Sequence, residues 1–407
     1  MPSIDPERLL GDLYALRKIG AYKTGVHRPT FWPADVVSRQ WLVGRMTEAG
    51  LEAGIDGIGN VLGKSRAPGR KILSGSHIES QNQAGWLDGA LGVIFALEAA
   101  RALRDDPATG DDGVDVMAFC DEEGHFGSLL GSRSFVGDVS EAEIDQARDR
   151  THGKPMREAL AEAGFAGRPR FAIQPERYTG FFEAHIEQGG SLEADNLKIG
   201  VVTAIVGMWT YRITATGQQN HAGTTTMRER RDAGVALVRL LSAIDQRFPQ
   251  VAAPRTVWTT GRITLDPGAP NIVPGEATAI FHFRDADPAV LERLQATFYE
   301  LVEEANRTGR CTVSIEALSR SIPAVMEERF LKVLDAAATQ HAPNLWVRMP
   351  SGAGHDAQII ARKIPAAMMF VPSIGGISHH WSENTSDGDI VRGARVFVDA
   401  IAGVLKG

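Results

Sequence analysis

Six side chains in four separated stretches have the makings of a metal centre: His77, Asp88, Glu122, Glu123, His185 and His379. His77 closes the short run Lys71-Ile-Leu-Ser-Gly-Ser, and Asp88 follows in a Gly-punctuated loop ahead of the apolar-periodic segment Gly89–Leu103. Glu122 and Glu123 follow Val114–Cys120, a run of strand length that ends in Asp121-Glu-Glu. Three acids in a row at the end of a buried strand repel one another unless a cation or a proton sits among them. Tyr178–Ala184 leads likewise into His185-Ile-Glu-Gln-Gly-Gly, and His379 lies in Gly375-Gly-Ile-Ser-His-His-Trp-Ser-Glu383. Three imidazoles and two carboxylates of this set suffice for two zinc-like ions bridged by one carboxylate, with open positions left for water.

Taken singly, each stretch has the composition of a solvated turn. What carries the reading is recurrence: a strand, then a His or a carboxylate, then Gly. In open α/β sheets, ligands collect beyond the carboxyl ends of strands, so groups distant in sequence converge there. Asp5–Ile19 and Asp35–Ala49 have helical spacing and read as outer helices, separated by the loop Gly20–Pro33. From about Met208 the pattern changes. Trp209–Thr216, Arg255–Leu265, Glu276–Asp285 and Cys311–Leu318 read as strands, and Arg230–Phe248 and Asp287–Arg307 as helices. That order, β-α-β-β-α-β, is a ferredoxin-like unit inserted into the first domain. The chain then returns with a helix at Glu327–His341, a buried strand at Ile364–Val371 and a closing helix at Gly388–Leu405.

The length of 407 residues exceeds the roughly 250–300 of a single core, so two domains are expected. A hydrophobic fraction of 43%, a charged fraction of 23% and a net charge of −7 describe an ordinary globular protein without the basic face of a nucleic-acid binder. No apolar run approaches a membrane span, and the first residues lack the pattern of a secretion signal, so a cytoplasmic protein is expected. Cys120 and Cys311 have no metal-site spacing and read as small buried hydrophobes.

With their loop contexts, these motifs resemble the dinuclear-metal amidohydrolases that include N-carbamoyl-L-amino-acid hydrolase, β-ureidopropionase and allantoate amidohydrolase. The resemblance rests on Gly-Ser-His77, Asp88-Gly-Ala-Leu-Gly, Glu122-Glu-Gly, His185-Ile-Glu-Gln-Gly, Asn220-His-Ala-Gly-Thr-Thr, Arg231-Asp-Ala, Asn271-Ile-Val-Pro-Gly, Ser351-Gly-Ala-Gly-His-Asp-Ala and Gly376-Ile-Ser-His379, spread over nearly the whole chain. It implies a metallopeptidase-like catalytic domain, α/β with a mixed sheet flanked by helices, over residues 1–207 and 323–407. A ferredoxin-like lid and dimerisation domain would occupy 208–322. It further implies two divalent ions per subunit, zinc or manganese, cobalt or nickel. His77, Asp88 and His185 would hold one and Asp88, Glu123 and His379 the other, with Glu122 as general base. His221 matches a histidine supplied by the partner subunit of a homodimer to stabilise the oxyanion. Asn271 and Arg284 match groups that grip the substrate carboxylate, and Gln188 and His355 match further pocket residues. The implied reaction is hydrolysis of a linear C–N bond, foremost in an N-carbamoyl-L-amino acid. Alternatives are an allantoate-type or N-acyl amino acid substrate, or a metal-binding scaffold without catalysis.

This chain departs from the family in several places. His77-Ile-Glu79 replaces His-x-Asp, so either Glu79 orients the imidazole with a longer reach or the His77 geometry differs. Gln81–Trp86 replaces a Gly-rich loop, and His380-Trp381 a smaller pair, which indicates either an altered pocket or drift in loop side chains.

Overall fold

Lys71–His77, Gly113–Phe119, Gly180–Ile186 and Ala366–Val371 are buried at every position, the pattern of strands covered on both faces. In the computed structural model, which describes residues 2–406, they lie side by side in a nine-stranded sheet and pair with one another in parallel. The register sets His77 opposite Phe119 and His185 opposite Phe370. All four strands therefore end at one edge of the sheet. Antiparallel strands flank this core: Val61–Lys64 and then Glu52–Ile55 on one side, Ile199–Ile205 on the other. Trp346–Ser351 and the two-residue Ala324–Val325 complete the sheet through Ile199–Ile205. The sequence reading missed these flanking strands, which are short or run directly into the next element.

The helix Ala90–Asp105 is buried from Ala90 to Leu103, as its nearly unbroken apolar composition requires. It packs on three of the parallel strands and on the last helix, Asp387–Lys406. Pro6–Lys18 starts where the Asp5 carboxylate accepts the Arg8 N–H at 3.0 Å. Pro33–Glu48 has charged residues on its buried side, Asp35 and Arg39.

The chain divides into two compact units. One comprises the described residues up to Thr203, Val325–Met349 and those from His355 on; the other comprises Ala204–Ala324 and Pro350–Gly354. The junctions lie a few residues outside the 208–322 segment expected from the change in pattern. The second unit is a four-stranded antiparallel sheet, in the order Val257–Asp266, Glu276–Asp285, Gly207–Thr216, Thr312–Arg320. Helices Ala233–Arg247 and Pro288–Thr308 cover it over a core that includes Tyr211, Phe248, Phe281, Phe283 and Phe298. This is the strand order of a ferredoxin-like unit. Among the described residues no helix is long and apolar enough to cross a membrane.

Candidate metal centre

Asp88 stands at the middle of the strand-end cluster. Its Oδ1 lies 3.2 Å from His185 Nε2 and 3.6 Å from His77 Nε2. Its Oδ2 lies 3.3 Å from His379 Nε2, which is itself 3.6 Å from Glu123 Oε2. Two donor sets result, His77-Asp88-His185 and Asp88-Glu123-His379, each with its ligand atoms within 4.8 Å of one another. Asp88 belongs to both. Glu122 belongs to neither, though its Oε2 is 3.6 Å from His77 Nε2.

Backbone carbonyls orient the two buried rings. His77 Nδ1 donates to the Glu79 carbonyl at 3.1 Å, and His185 Nδ1 to the Ile186 carbonyl at 2.9 Å. A carbonyl only accepts, so Nδ1 carries the proton and Nε2 is the nitrogen turned toward Asp88. Close approach also dictates Gly89, at φ 66: a Cβ there would meet His77 Nε2 at 2.4 Å.

Electrostatics shows which charge the cluster favours. Burial, with Glu123 as a like-charged neighbour, pushes the Glu122 carboxyl well above its ordinary range against the opposing pull of His77. Burial and Asp88 raise Glu123 as well. Asp88 is also buried, yet hydrogen bonds from His185, His379 and His77 hold it well below its ordinary value. The bond to Asp88 raises His379 to about 9. Burial works against His77, but Glu122, Asp88 and Glu79 raise it well above the usual imidazole value. An ionised Asp88 between imidazoles that hold their protons, with Glu122 and Glu123 raised beside it, is arranged for positive charge, which a divalent cation on these nitrogen and oxygen donors would supply.

The profile of Peptidase family M20/M25/M40 matches residues 74–403. The chain belongs to this family. It is 32% identical over 398 residues to an N-carbamoyl-L-amino-acid amidohydrolase of Paenarthrobacter aurescens, covering 96% of each chain. It is 33% identical to an allantoate amidohydrolase of Escherichia coli K12, covering 91% of each. A crystal structure of an amidase of the hydantoinase/carbamoylase family from Burkholderia phymatum superposes with a TM-score of 0.92 at 47% identity, covering 100% of this chain and 99% of that one. M20 enzymes are metal-dependent hydrolases, and the similar amidohydrolases act on C–N bonds outside peptides.

Around the centre of this M20 chain, the three acids after Phe119 do different work. Asp121, at φ 59, accepts the N–H groups of His125, Phe126 and Gly127 and the Thr30 hydroxyl, and so shapes the loop. Glu123 is held by Gln81, whose Nε2 donates to its carboxylate at 2.6 Å and whose backbone N–H donates at 3.2 Å. Among the described residues the Glu122 carboxylate has no such bond; its Oε2 lies 3.6 Å from His77 Nε2. Gln188 Nε2 donates to Asp88 Oδ2 at 2.9 Å. His355 is buried with its ring 4.6 Å from that of His185, and burial followed by His185 lowers it well below the usual value. His380 Nδ1 instead bonds the Ser382 hydroxyl at 2.7 Å.

The structure bears on two points that the sequence left open. The Glu79 carboxylate does not orient His77, because its Oε1 is 3.8 Å from Nδ1 while the Glu79 carbonyl takes the bond. Trp86 is buried, stacked on Tyr14 at 5.3 Å beneath the Arg17 guanidinium.

Sequence reasoning also missed Glu383. Its buried Oε1 accepts the N–H groups of Leu87 and Asp88 at 3.2 and 3.1 Å, and its Oε2 accepts the Ser378 hydroxyl at 3.1 Å. It thereby ties the Asp88 loop to the His379 loop. Burial and the Asp88 charge raise it to about 8. Only its place four residues beyond His379 could have drawn attention to it.

The second unit places His221, Asn271 and Arg284. Asn220–His221 pairs antiparallel with Ile272–Val273, and the Ala222 N–H donates to the Asn271 carbonyl at 3.0 Å, which brings His221 beside Asn271. His221 Nδ1 accepts the N–H groups of Gly223 and Thr224 at 3.0 and 3.2 Å, leaving Nε2 exposed and protonated. Arg284 Nη1 donates to the Gly352 carbonyl at 3.0 Å, while its buried Nε has no hydrogen-bond partner among the described residues. A partly buried guanidinium without a carboxylate partner suits an anionic ligand.

Proposed function

We propose that this M20 chain is a metal-dependent amidohydrolase that removes the carbamoyl group from an N-carbamoyl-L-amino acid or a close ureido acid. The observation that carries this reading is the sharing of Asp88 by two donor sets, with the Glu122 carboxylate beside them and outside both. His77, Asp88 and His185 would hold one divalent cation and Asp88, Glu123 and His379 a second, Zn²⁺ or alternatively Mn²⁺, Co²⁺ or Ni²⁺. When bound, such cations supply a water of lowered pKa and a Lewis acid for the ureido oxygen.

The chain's own groups do the rest. Glu122 accepts the proton of the attacking water at its carboxylate and hands it to the leaving nitrogen; its raised affinity for a proton matches that double duty. His221, contributed by the other subunit of a homodimer, donates from Nε2–H to the oxygen that becomes negative. Arg284 takes the substrate carboxylate with its planar fork, and the Asn271 amide adds a neutral donor. Gln188 and His355 complete the pocket. Gln188 already reaches Asp88, so a substrate that recruits it must draw it off that oxygen.

Relatives named for N-carbamoyl-L-amino-acid hydrolysis support the first reading; those named allantoate amidohydrolase support a second, a diureide substrate on the same machinery. The deciding experiment measures ammonia release from N-carbamoyl-L-amino acids and allantoate, and free amino acid release from N-acetyl amino acids, with Zn²⁺, Mn²⁺ or Co²⁺ added and then chelated. Chelator-sensitive release from the carbamoyl compounds is expected. Turnover of allantoate alone would move the assignment to the second reading, and cation binding without turnover of any substrate would leave only a metal-binding scaffold.

A further inference from the structure

Behind the centre lies a chain of buried charges that the reaction as described does not use. Arg39, on the helix Pro33–Glu48, is fully buried and has each of its three guanidinium nitrogens engaged. Its Nε donates to Asp35 Oδ2 at 2.9 Å, its Nη1 to the Gly59 carbonyl at 2.7 Å and its Nη2 to Glu79 Oε2 at 2.8 Å. Asp35 and Glu79 are as inaccessible as Arg39. The other oxygen of Glu79, Oε1, accepts the backbone N–H of Glu122 at 2.7 Å.

We propose that Glu79, braced by Arg39, is a positioning residue that fixes the backbone of Glu122 and thereby aims its carboxylate. This rests on reading Glu122 as the base.

A guanidinium held at three corners cannot swing, so the carboxylate it grips is set in place. Glu79 is committed twice. Its carbonyl accepts from His77 Nδ1, and its carboxylate spans from Arg39 to Glu122. One residue thus sets both the ring of a candidate ligand and the amide of the candidate base. This accounts for glutamate where aspartate is usual: from a backbone tied to His77, an aspartate would stop short by about 1.5 Å, one carbon–carbon bond. It also requires a carboxylate. Both oxygens accept here, whereas an amide must turn an NH₂ toward either Arg39 or the Glu122 N–H.

The test compares Glu79→Gln, Glu79→Asp, Arg39→Met and the double variant Arg39→Met with Glu79→Gln, all loaded with zinc. Three quantities are read: bound metal, kcat and KM, and amide hydrogen exchange in a peptide spanning residues 119–126. A displaced base lowers kcat by up to about a hundredfold. The expected result is that loss in each single variant with KM and metal content kept, faster exchange at Glu122, and a double variant little worse than either single one. Unchanged exchange in Glu79→Gln, or metal lost in proportion to kcat, would overturn the proposal. Arg39→Met leaves two buried carboxylates uncompensated; should it fail to fold, Glu79→Gln alone decides. Exchange needs no substrate, so a wild-type protein inert toward every compound would defeat the proposed function and still leave this inference to be judged.

Discussion

At the scale of single residues, two adjacent histidines face different work. His379 sits at φ 55 with Nε2 3.3 Å from Asp88, whereas His380 bonds Ser382. His379→Ala is expected to lose about one equivalent of metal and nearly all activity, and His380→Ala to keep both, as read by elemental analysis. Equal losses would reassign the ligand. The raised imidazoles give a second prediction. With His379 held up to about 9, the metal-free protein gains stability that is fully present below the unfolded value of roughly 6.5 and lost as the pH rises through 9. Metal must displace that proton, so affinity should climb with pH across the same window. Calorimetry of zinc binding to chelator-stripped protein, run in buffers of different ionisation heat, should show protons released at pH 7 and fewer at pH 9.5. No release at pH 7 would sink this account. The candidate ligands were legible because His77, Glu123 and His185 closely follow apolar runs and Asp88 and His379 lie in the Gly-rich loops beyond such runs. Glu383, Gln81 and Arg39 were not, because their partners stand far off in sequence: Glu383 bonds Leu87, 296 positions away.

At the scale of elements, the centre depends on four parallel strands ending together and on a helix that starts within reach of them. Fully buried runs such as Gly113–Phe119 announce themselves by composition; Glu52–Ile55 and Val61–Lys64, four residues each, offer too little periodicity to be read. Trp86 was left open for a related reason: its nearness to Asp88 in sequence says nothing of which way a loop side chain turns, and it turns onto Tyr14. The junction between strand and helix is Gly89, where an added Cβ would meet the His77 ring and φ is 66. Gly89→Ala is therefore expected to cost about 1–3 kcal/mol in backbone strain, and to weaken metal binding beyond that by displacing His77. Denaturant unfolding with and without zinc separates the two effects. A variant with unchanged zinc stabilisation would show that His77 tolerates the shift.

At the scale of the molecule, the question is whether a subunit is complete. In the second unit, Val257–Asp266 is, among the described residues, an edge strand paired on one side only, with Val257, Ile263 and Leu265 exposed. A long exposed edge of this kind is ordinarily covered, and a second copy related by a twofold axis could cover it by pairing with its own counterpart. In the proposed function His221 serves the centre of the other subunit, and the alternative is that it serves its own. Mixing two dead variants distinguishes these cases. His221→Ala keeps Glu122, and Glu122→Gln keeps His221; neither alone should turn over. If His221 acts across subunits, exchange at equal amounts makes half the dimers mixed, each with one whole site, and restores about a quarter of the wild-type rate per subunit. If His221 serves its own subunit, every site in the mixture lacks one group and no activity returns, although the mixed dimer still forms and can be captured through a tag on one variant.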